Sequence, residues 1–294
     1  MTDLAAFNQA ETRRRARLGL VSATFRYALL FCVGLVMLYP LIWLIGASFK
    51  TNSEIFAGAG FWPEKPTLDG YIRGWQTSTP YTFGRFFWNS FLIILPKVIG
   101  TAISCTLAAY AFVRFDFPFK KILFGSVIAI LLLPNVVTRI PQYILFRDLG
   151  WLDTFLPLWV PSALAGDAFF VFMLVQFLRS LPADMEEAAR VDGANSLQTL
   201  IYIVVPMLAP ALISVCLFQF MWTMNDFLGP LIYLSSVEKY PVSLALKLSI
   251  DTTEAFEWNR ILAMSVLTIT PALAVFFAAQ RYFIEGISSG GIKG

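Results

Sequence analysis

Arg179-Ser180-Leu181-Pro182-Ala183-Asp184-Met185-Glu186-Glu187-Ala188-Ala189-Arg190-Val191-Asp192-Gly193-Ala194-Asn195-Ser196 is a polar interruption between two long apolar runs, 155–178 and 203–224. Its residues spell a helix, a tight turn and a second helix. Pro182 suits the first turn of a helix, where its missing N–H costs nothing, and Asp184, Glu186 and Glu187 favour the positive end of the helix dipole. Ala188 and Ala189 are strong helix formers with small side chains. Gly193 offers the permissive backbone of a turn, and Asn195 or Ser196 can cap the next helix, which runs through 197–203 towards Pro206. On the residues alone the segment also reads as an ordinary solvated connector.

The runs on either side set its context. A membrane helix needs about 20 mostly apolar residues. Six stretches meet that requirement: 25–48, 87–113, 122–142, 155–178, 203–224 and 261–283. The alternating ten-residue runs of a β-barrel are missing. Apolar residues make up 57% of the 294 and charged ones only 14%, too few to cover a globule in water. That balance excludes disorder, a nucleic-acid-binding module and an ordinary cytosolic enzyme. The expected class is all-α: a polytopic membrane protein of six transmembrane helices.

Lys and Arg favour one side. Arg13, Arg14, Arg15 and Arg17 cluster ahead of the first run, and Arg114, Lys120, Lys121, Arg179, Arg190, Arg281 and Lys293 fall on the same side if the N-terminus is inside. This predicts an N-in, C-in topology. The Arg13–Arg17 cluster is a topology signal, or a contact for lipid or a partner. The first run is longer than a signal-peptide core and no small-residue cleavage site follows it before Lys50, so it reads as a retained anchor. The resulting organisation is a basic cytoplasmic segment (1–24), a first helix (25–48), an extracytoplasmic loop (49–86), a five-helix transmembrane domain (87–283) with its inner loop at 179–200, and a tail (284–294). The loop 51–85 reads as a short structured excursion, and 243–250 as a helix within a second outer loop.

There is no histidine, and Cys32, Cys105 and Cys216 are scattered through apolar runs. No metal site, disulfide framework or catalytic constellation is expected, and the thiols serve as small hydrophobes. Charges at membrane depth therefore stand out, because each costs about 2.5–3.5 kcal/mol unless it faces a partner or water. Asp167 is the deepest. It pairs with Lys97 or Arg139 and locks helix packing, or it faces a translocation route and bonds sugar hydroxyls. A proton relay lacks a second intramembrane acid. Asn225 and Asp226 end the fifth run, either as helix caps or as contacts for an outer gate or docked partner. Pro206 and Pro210 should bend that run.

The pattern Glu187-Ala188-Ala189, Asp192-Gly193-Ala194 and then Pro206 resembles the EAA loop of binding-protein-dependent ABC importer permeases. Asn89-Ser90-Phe91, 108–114, Pro134, 140–143, 149–151, 222–227 and the ending 280–294 resemble the carbohydrate-uptake, maltose-type branch, so the likeness runs from about Leu38 to the end. Asp167 departs from the branch, which commonly has a small or neutral residue there. The resemblance implies a type I ABC importer permease fold in the bacterial inner membrane. It implies coupling to a separate ATPase through Glu186, Glu187, Ala188, Ala189, Asp192, Gly193 and Ala194, with Asp167, Asn225 and Asp226 as candidate pathway or gate residues. The implied partners are a second homologous permease, an ATPase dimer, an extracytoplasmic solute-binding protein, membrane lipid and a sugar or oligosaccharide, with no nucleic acid. This chain would bind no cofactor and catalyse nothing: it carries no GxxxxGK[ST] phosphate loop, so ATP and Mg would act on the partner. The rival readings are an ion-driven secondary transporter and an ABC permease for a non-sugar solute. Whether the sugar is neutral or acidic is open. Lys97 and Arg139 would be unusual assets for an acidic one, but a surface or packing role is the better reading of both.

Overall fold

The computed structural model describes residues 2–58, 60–77, 79–251 and 257–291. Lys293, and the side chains of the Arg13–Arg17 cluster and of Arg281, lie outside the described set. All regular elements among the described residues are helical. Four helical stretches are long and apolar enough to cross a membrane, and there are six if two bent pairs each count as one span.

The chain divides into two compact units. The first comprises residues 1–71 and 257–266. It holds α1 (Thr2–Ser48), whose stretch Ser22–Ser48 exposes nearly all of its apolar side chains, as a lipid-facing helix must. After α1 the chain folds back through α2 (Asn52–Ala57). Ser48 Oγ donates to Ile45 O at 2.7 Å and meets Tyr71 Oη at 2.8 Å, while Asn52 Oδ1 accepts from Trp258 N–H at 2.9 Å. Lys50 is buried and donates to the Gly60 carbonyl, so this cation is a structural tether rather than a free topology charge. The expected excursion after the first run is thus a hydrogen-bonded structure.

The second unit covers 72–256 and 267–294. After α3 (Asp69–Gln76), which begins just before it, comes α4 (Phe83–Arg114). Next are α5 (Lys120–Leu132), α6 (Asn135–Asp148), α7 (Leu156–Ala163) and α8 (Ala168–Ser180). Then follow α9 (Asp184–Val191), α10 (Ser196–Thr199), a π-turn (Leu200–Val204), α11 (Val205–Met207), α12 (Ala209–Met224) and α13 (Leu228–Tyr233). A 3₁₀ turn (Val237–Lys239), α14 (Val242–Asp251) and α15 (Trp258–Gly291) complete the order.

Helix α4 is the spine of this unit. Cys105 and Ala109 pack with Phe170, Val171, Leu174 and Val175 of α8 and with Ala211 and Val215 of α12. Small residues bring the backbones together: a Cβ on Gly100 would lie only 2.4 Å from the Ala163 Cβ of α7, so only glycine permits this approach.

Two runs expected to be continuous are broken. The third ends at Leu132, turns at Leu133-Pro134 and resumes as α6, because Pro134 has no N–H to continue the ladder. The fourth breaks between Ala163 and Ala168, where Ala165 takes a positive φ of 58°. The fifth bends by 77° between Ser196–Met207 and Ala209–Met224. Its π-turn lies immediately ahead of Pro206, which cannot donate to the Tyr202 carbonyl, so Pro206 and Pro210 act as the sequence predicts.

Candidate functional site

The breaks in the third and fourth runs open a cavity of about 680 Å³ in the second unit. Its wall draws on Lys97 of α4, Arg139 and Gln142 of α6, Asp167 at the α7–α8 break, Gln219 and Trp222 of α12, and Asp226. The volume falls in the range of about 300–1,000 Å³ usual for small-molecule sites.

Asp167 does not sit in mid-helix. It precedes α8, where the positive end of the helix dipole favours a carboxylate. Its Oδ2 accepts from Gln219 Nε2 at 2.9 Å, and the same amide donates to Thr101 Oγ1 at 3.3 Å. Gln219 is 2% exposed, so this amide cross-links α4, α8 and α12 from inside. Among the described residues Asp167 forms no ion pair, so the expected lock with Lys97 or Arg139 is replaced by a bond to Gln219, 52 residues away. Beside it Trp222 packs at a tilt against Phe169 and Phe170, with centroids 5.3 and 5.1 Å apart, and adds an aromatic side chain to the cavity wall.

Asn225 Nδ2 donates to Met221 O at 2.8 Å, closing the end of α12. Asp226 Oδ1 accepts from Gly229 N–H at 3.0 Å, and its carbonyl accepts from Ser243 Oγ at 2.8 Å. Both residues act as caps, and Asp226 also borders the cavity.

A second cluster stands at the Arg114 end of α4. Helix α9 closes with the Ala194 N–H bonding to Ala189 O at 2.9 Å and the Gly193 N–H to Arg190 O at 3.1 Å. This Schellman pair requires the φ of +88° that Gly193 supplies. Two residues on, Asn195 and Gln198 form a reciprocal capping box at 2.9 Å in each direction. The turn between α9 and α10 is therefore hydrogen-bonded on both sides.

Glu186 is turned inwards, at 3% exposed. Arg114 Nε donates to its Oε1 at 2.8 Å and Nη2 lies 2.6 Å from the same oxygen. Tyr110 Oη donates to Ser196 O at 3.4 Å, so α4 holds both short helices. Glu187, Ala188, Asp192 and Gly193 remain exposed, Ala189 and Ala194 half-buried. Met185 and Val191 project apolar side chains outwards, 55% and 87% exposed. Arg114 is a residue that charge counting assigned only to topology.

A third cluster lies at the other end of α4. Asp153 accepts from Ser235 N–H (3.0 Å), Ser236 N–H (2.9 Å), Ser236 Oγ (2.6 Å) and Lys239 Nζ (2.8 Å). Burial pushes its carboxyl up, but the bonds from Lys239, Ser236 and Ser235 outweigh it and hold the group well below the usual carboxylate range. Asn89 Nδ2 donates to Glu238 O and Tyr240 O at 2.7 and 3.0 Å, and Arg85 pairs with Glu238 at 2.8 Å. No group of metal-ligating side chains occurs among the described residues.

Comparison with known proteins accords with this geometry. The family of the binding-protein-dependent transport system inner membrane component matches residues 100–289. A probable ABC transporter permease protein of Pyrococcus horikoshii is 33% identical over 258 residues, which cover 87% of this chain and 92% of that protein. The arabinooligosaccharides transport system permease protein AraQ of Halalkalibacterium halodurans is 30% identical over 269 residues, 89% of this chain and 93% of AraQ. The crystal structure of a bacterial ABC transporter involved in the import of the acidic polysaccharide alginate shares the fold, with a TM-score of 0.79 at 24% identity over 90% of this chain and 96% of that one. With the family match spanning residues 100–289 and a relative 33% identical over 87% of its length, the chain belongs to the family of binding-protein-dependent transport system inner membrane components.

Proposed function

We propose that the chain is one of two permease subunits of an ATP-driven importer of sugars or oligosaccharides, acting with a second homologous permease, an ATPase dimer and an extracytoplasmic solute-binding protein. In this reading six spans cross the inner membrane with both termini inside. The chain is organised as a basic segment 1–24, a first helix 25–48, an outer loop 49–86, a permease domain 87–283 and a tail 284–294. ATP and Mg act on the partner ATPase, and this chain moves in response.

The observation that carries the proposal is the rigid knob built by α9 and the Gly193 turn. Its exposed face, Met185, Glu187, Ala188 and Val191, offers a small apolar and acidic surface for a groove on the ATPase. Its inner face is fixed to α4 through Glu186, and its C-terminal side continues through α10 into the bent α12. Asp192, Gly193 and Ala194 keep that connection short, and the Ala189 carbonyl accepts from the Ala194 N–H to close it. Both α4 and α12 line the cavity, so displacement of the knob moves two of its walls together. A stiff element with two positions is what couples a distant motor to alternating access. Asp167, with Asn225 and Asp226 at the far end of α12, lies along the route the solute takes.

The test is reconstitution of the four-component transporter in proteoliposomes. Saccharide uptake should require internal ATP and the ATPase partner. Uptake by the permeases alone under an ion gradient would replace this reading with a secondary transporter.

A further inference from the structure

We infer that the cavity contains a recognition site for an acidic sugar, in which Lys97 and Arg139 read a carboxylate on the solute; this deepens the importer reading and rests on it. Four acidic or cationic side chains line the wall: Lys97, Arg139, Asp167 and Asp226. The two acids are occupied. Asp167 accepts from buried Gln219, and Asp226 accepts from the Gly229 N–H. The two cations are not. Among the described residues neither Lys97 nor Arg139 has a carboxylate within ion-pair distance.

Position makes this imbalance informative. Lys97 follows Pro96 in the middle of the apolar helix α4, and Arg139 lies in α6, just beyond the break in the third run. A cation in the middle of an apolar helix, as Lys97 is, is retained only where it meets a counter-charge or a water-filled route. The neighbouring acids keep their charge but are each anchored by an amide or backbone donor, which leaves Lys97 and Arg139 as the charged groups of the wall without a polar partner among the described residues. Arginine matches a planar carboxylate with a two-pronged hydrogen bond, and lysine adds a point charge beside it. Trp222 and Phe169, in tilted contact in the wall, offer an apolar aromatic surface suited to the C–H side of a pyranose ring. A neutral sugar would use the aromatic face and leave both cations without a direct ion-pair partner. A uronic-acid unit uses both.

The experiment is equilibrium binding to the purified complex of both permeases and the ATPase, without nucleotide and without the binding protein, so that selectivity arises in the membrane subunits. The probes are a radiolabelled oligogalacturonate and the same oligomer with its carboxyls methyl-esterified. The wild-type complex should bind the acidic form about tenfold or more tightly than the ester. The preference should shrink with added salt. Lys97→Met combined with Arg139→Met should bring the acidic form down to the level of the ester, and the charge-preserving pair Lys97→Arg with Arg139→Lys should keep most of the preference. Equal binding of the two probes by wild type would overturn the inference, as would a preference that survives the double methionine variant. ATP-driven uptake of the ester in the four-component system would, in that case, leave the importer reading standing. Failure of any saccharide to bind or to be carried with ATP would remove both.

Discussion

The Arg114–Glu186 pair offers the sharpest mechanical perturbation. Glu186→Gln preserves shape but leaves the Arg114 guanidinium, 15% exposed in its side chain, facing a neutral amide. Removing one member of a buried ion pair costs about 3–5 kcal/mol. The partial exposure of Arg114 places this case at the low end, about 3 kcal/mol. For a domain of this size that is a fall of roughly 6–12 °C in unfolding temperature. Arg114→Gln should cost a similar amount. The double variant, with two amides able to bond each other, should cost less than the sum by about 1–3 kcal/mol. Function should change in a distinctive way, because α9 would lose its grip on α4 while keeping its outward face. In proteoliposomes ATP hydrolysis should persist while saccharide moved per ATP falls. Additive losses in stability, or a Glu186→Gln variant with wild-type unfolding temperature and coupling, would refute the claim that this pair fastens the knob to the helix bundle.

Gly193→Pro should abolish transport and co-purification of the ATPase while membrane insertion is retained, since proline has neither the N–H bonded to Arg190 nor access to a φ of +88°. Asp167→Asn should alter saccharide uptake at unchanged expression if the residue lines the route, whereas a fall in expression alone would assign it to packing. Gly100→Leu should destabilise the solubilised chain by about 1–3 kcal/mol by forcing α4 from α7; thermal unfolding reads this directly. Asp153→Asn should cost about 1.5–3 kcal/mol at neutral pH through loss of the Lys239 pair. Because the folded carboxyl titrates below its unfolded value near 3.8, the wild-type advantage should be full above about pH 4 and fade as pH falls through the lower, folded value.

What local patterns control was readable from the sequence. The apolar runs, the turn at Gly193, the cap at Asn195 and the bend ahead of Pro206 all follow from residue types a few positions apart. Other features depend on partners far along the chain. Nothing near Asp167 announces Gln219, and nothing in the 179–196 loop announces Arg114, 72 residues before Glu186. The Asp153 knot joins residues more than 80 positions apart, and its serines and lysine look like ordinary loop composition. The break in the fourth run was hidden for a different reason. Pro157 and Pro161 are tolerated inside α7, while the chain opens only after Ala163, where Ala165 takes a positive φ and the Gly166 N–H bonds back to Pro161 O, a turn that alanine does not announce.

The central claim, that the knob between α8 and α10 receives motion from a separate ATPase, is tested most directly by cross-linking. A single cysteine placed at exposed Ala188, in a background lacking Cys32, Cys105 and Cys216, should capture the ATPase subunit in membranes that are transporting, with a yield that changes when nucleotide is bound. Active transport with no ATPase captured from Ala188, or from Ala189 beside it, would contradict the account.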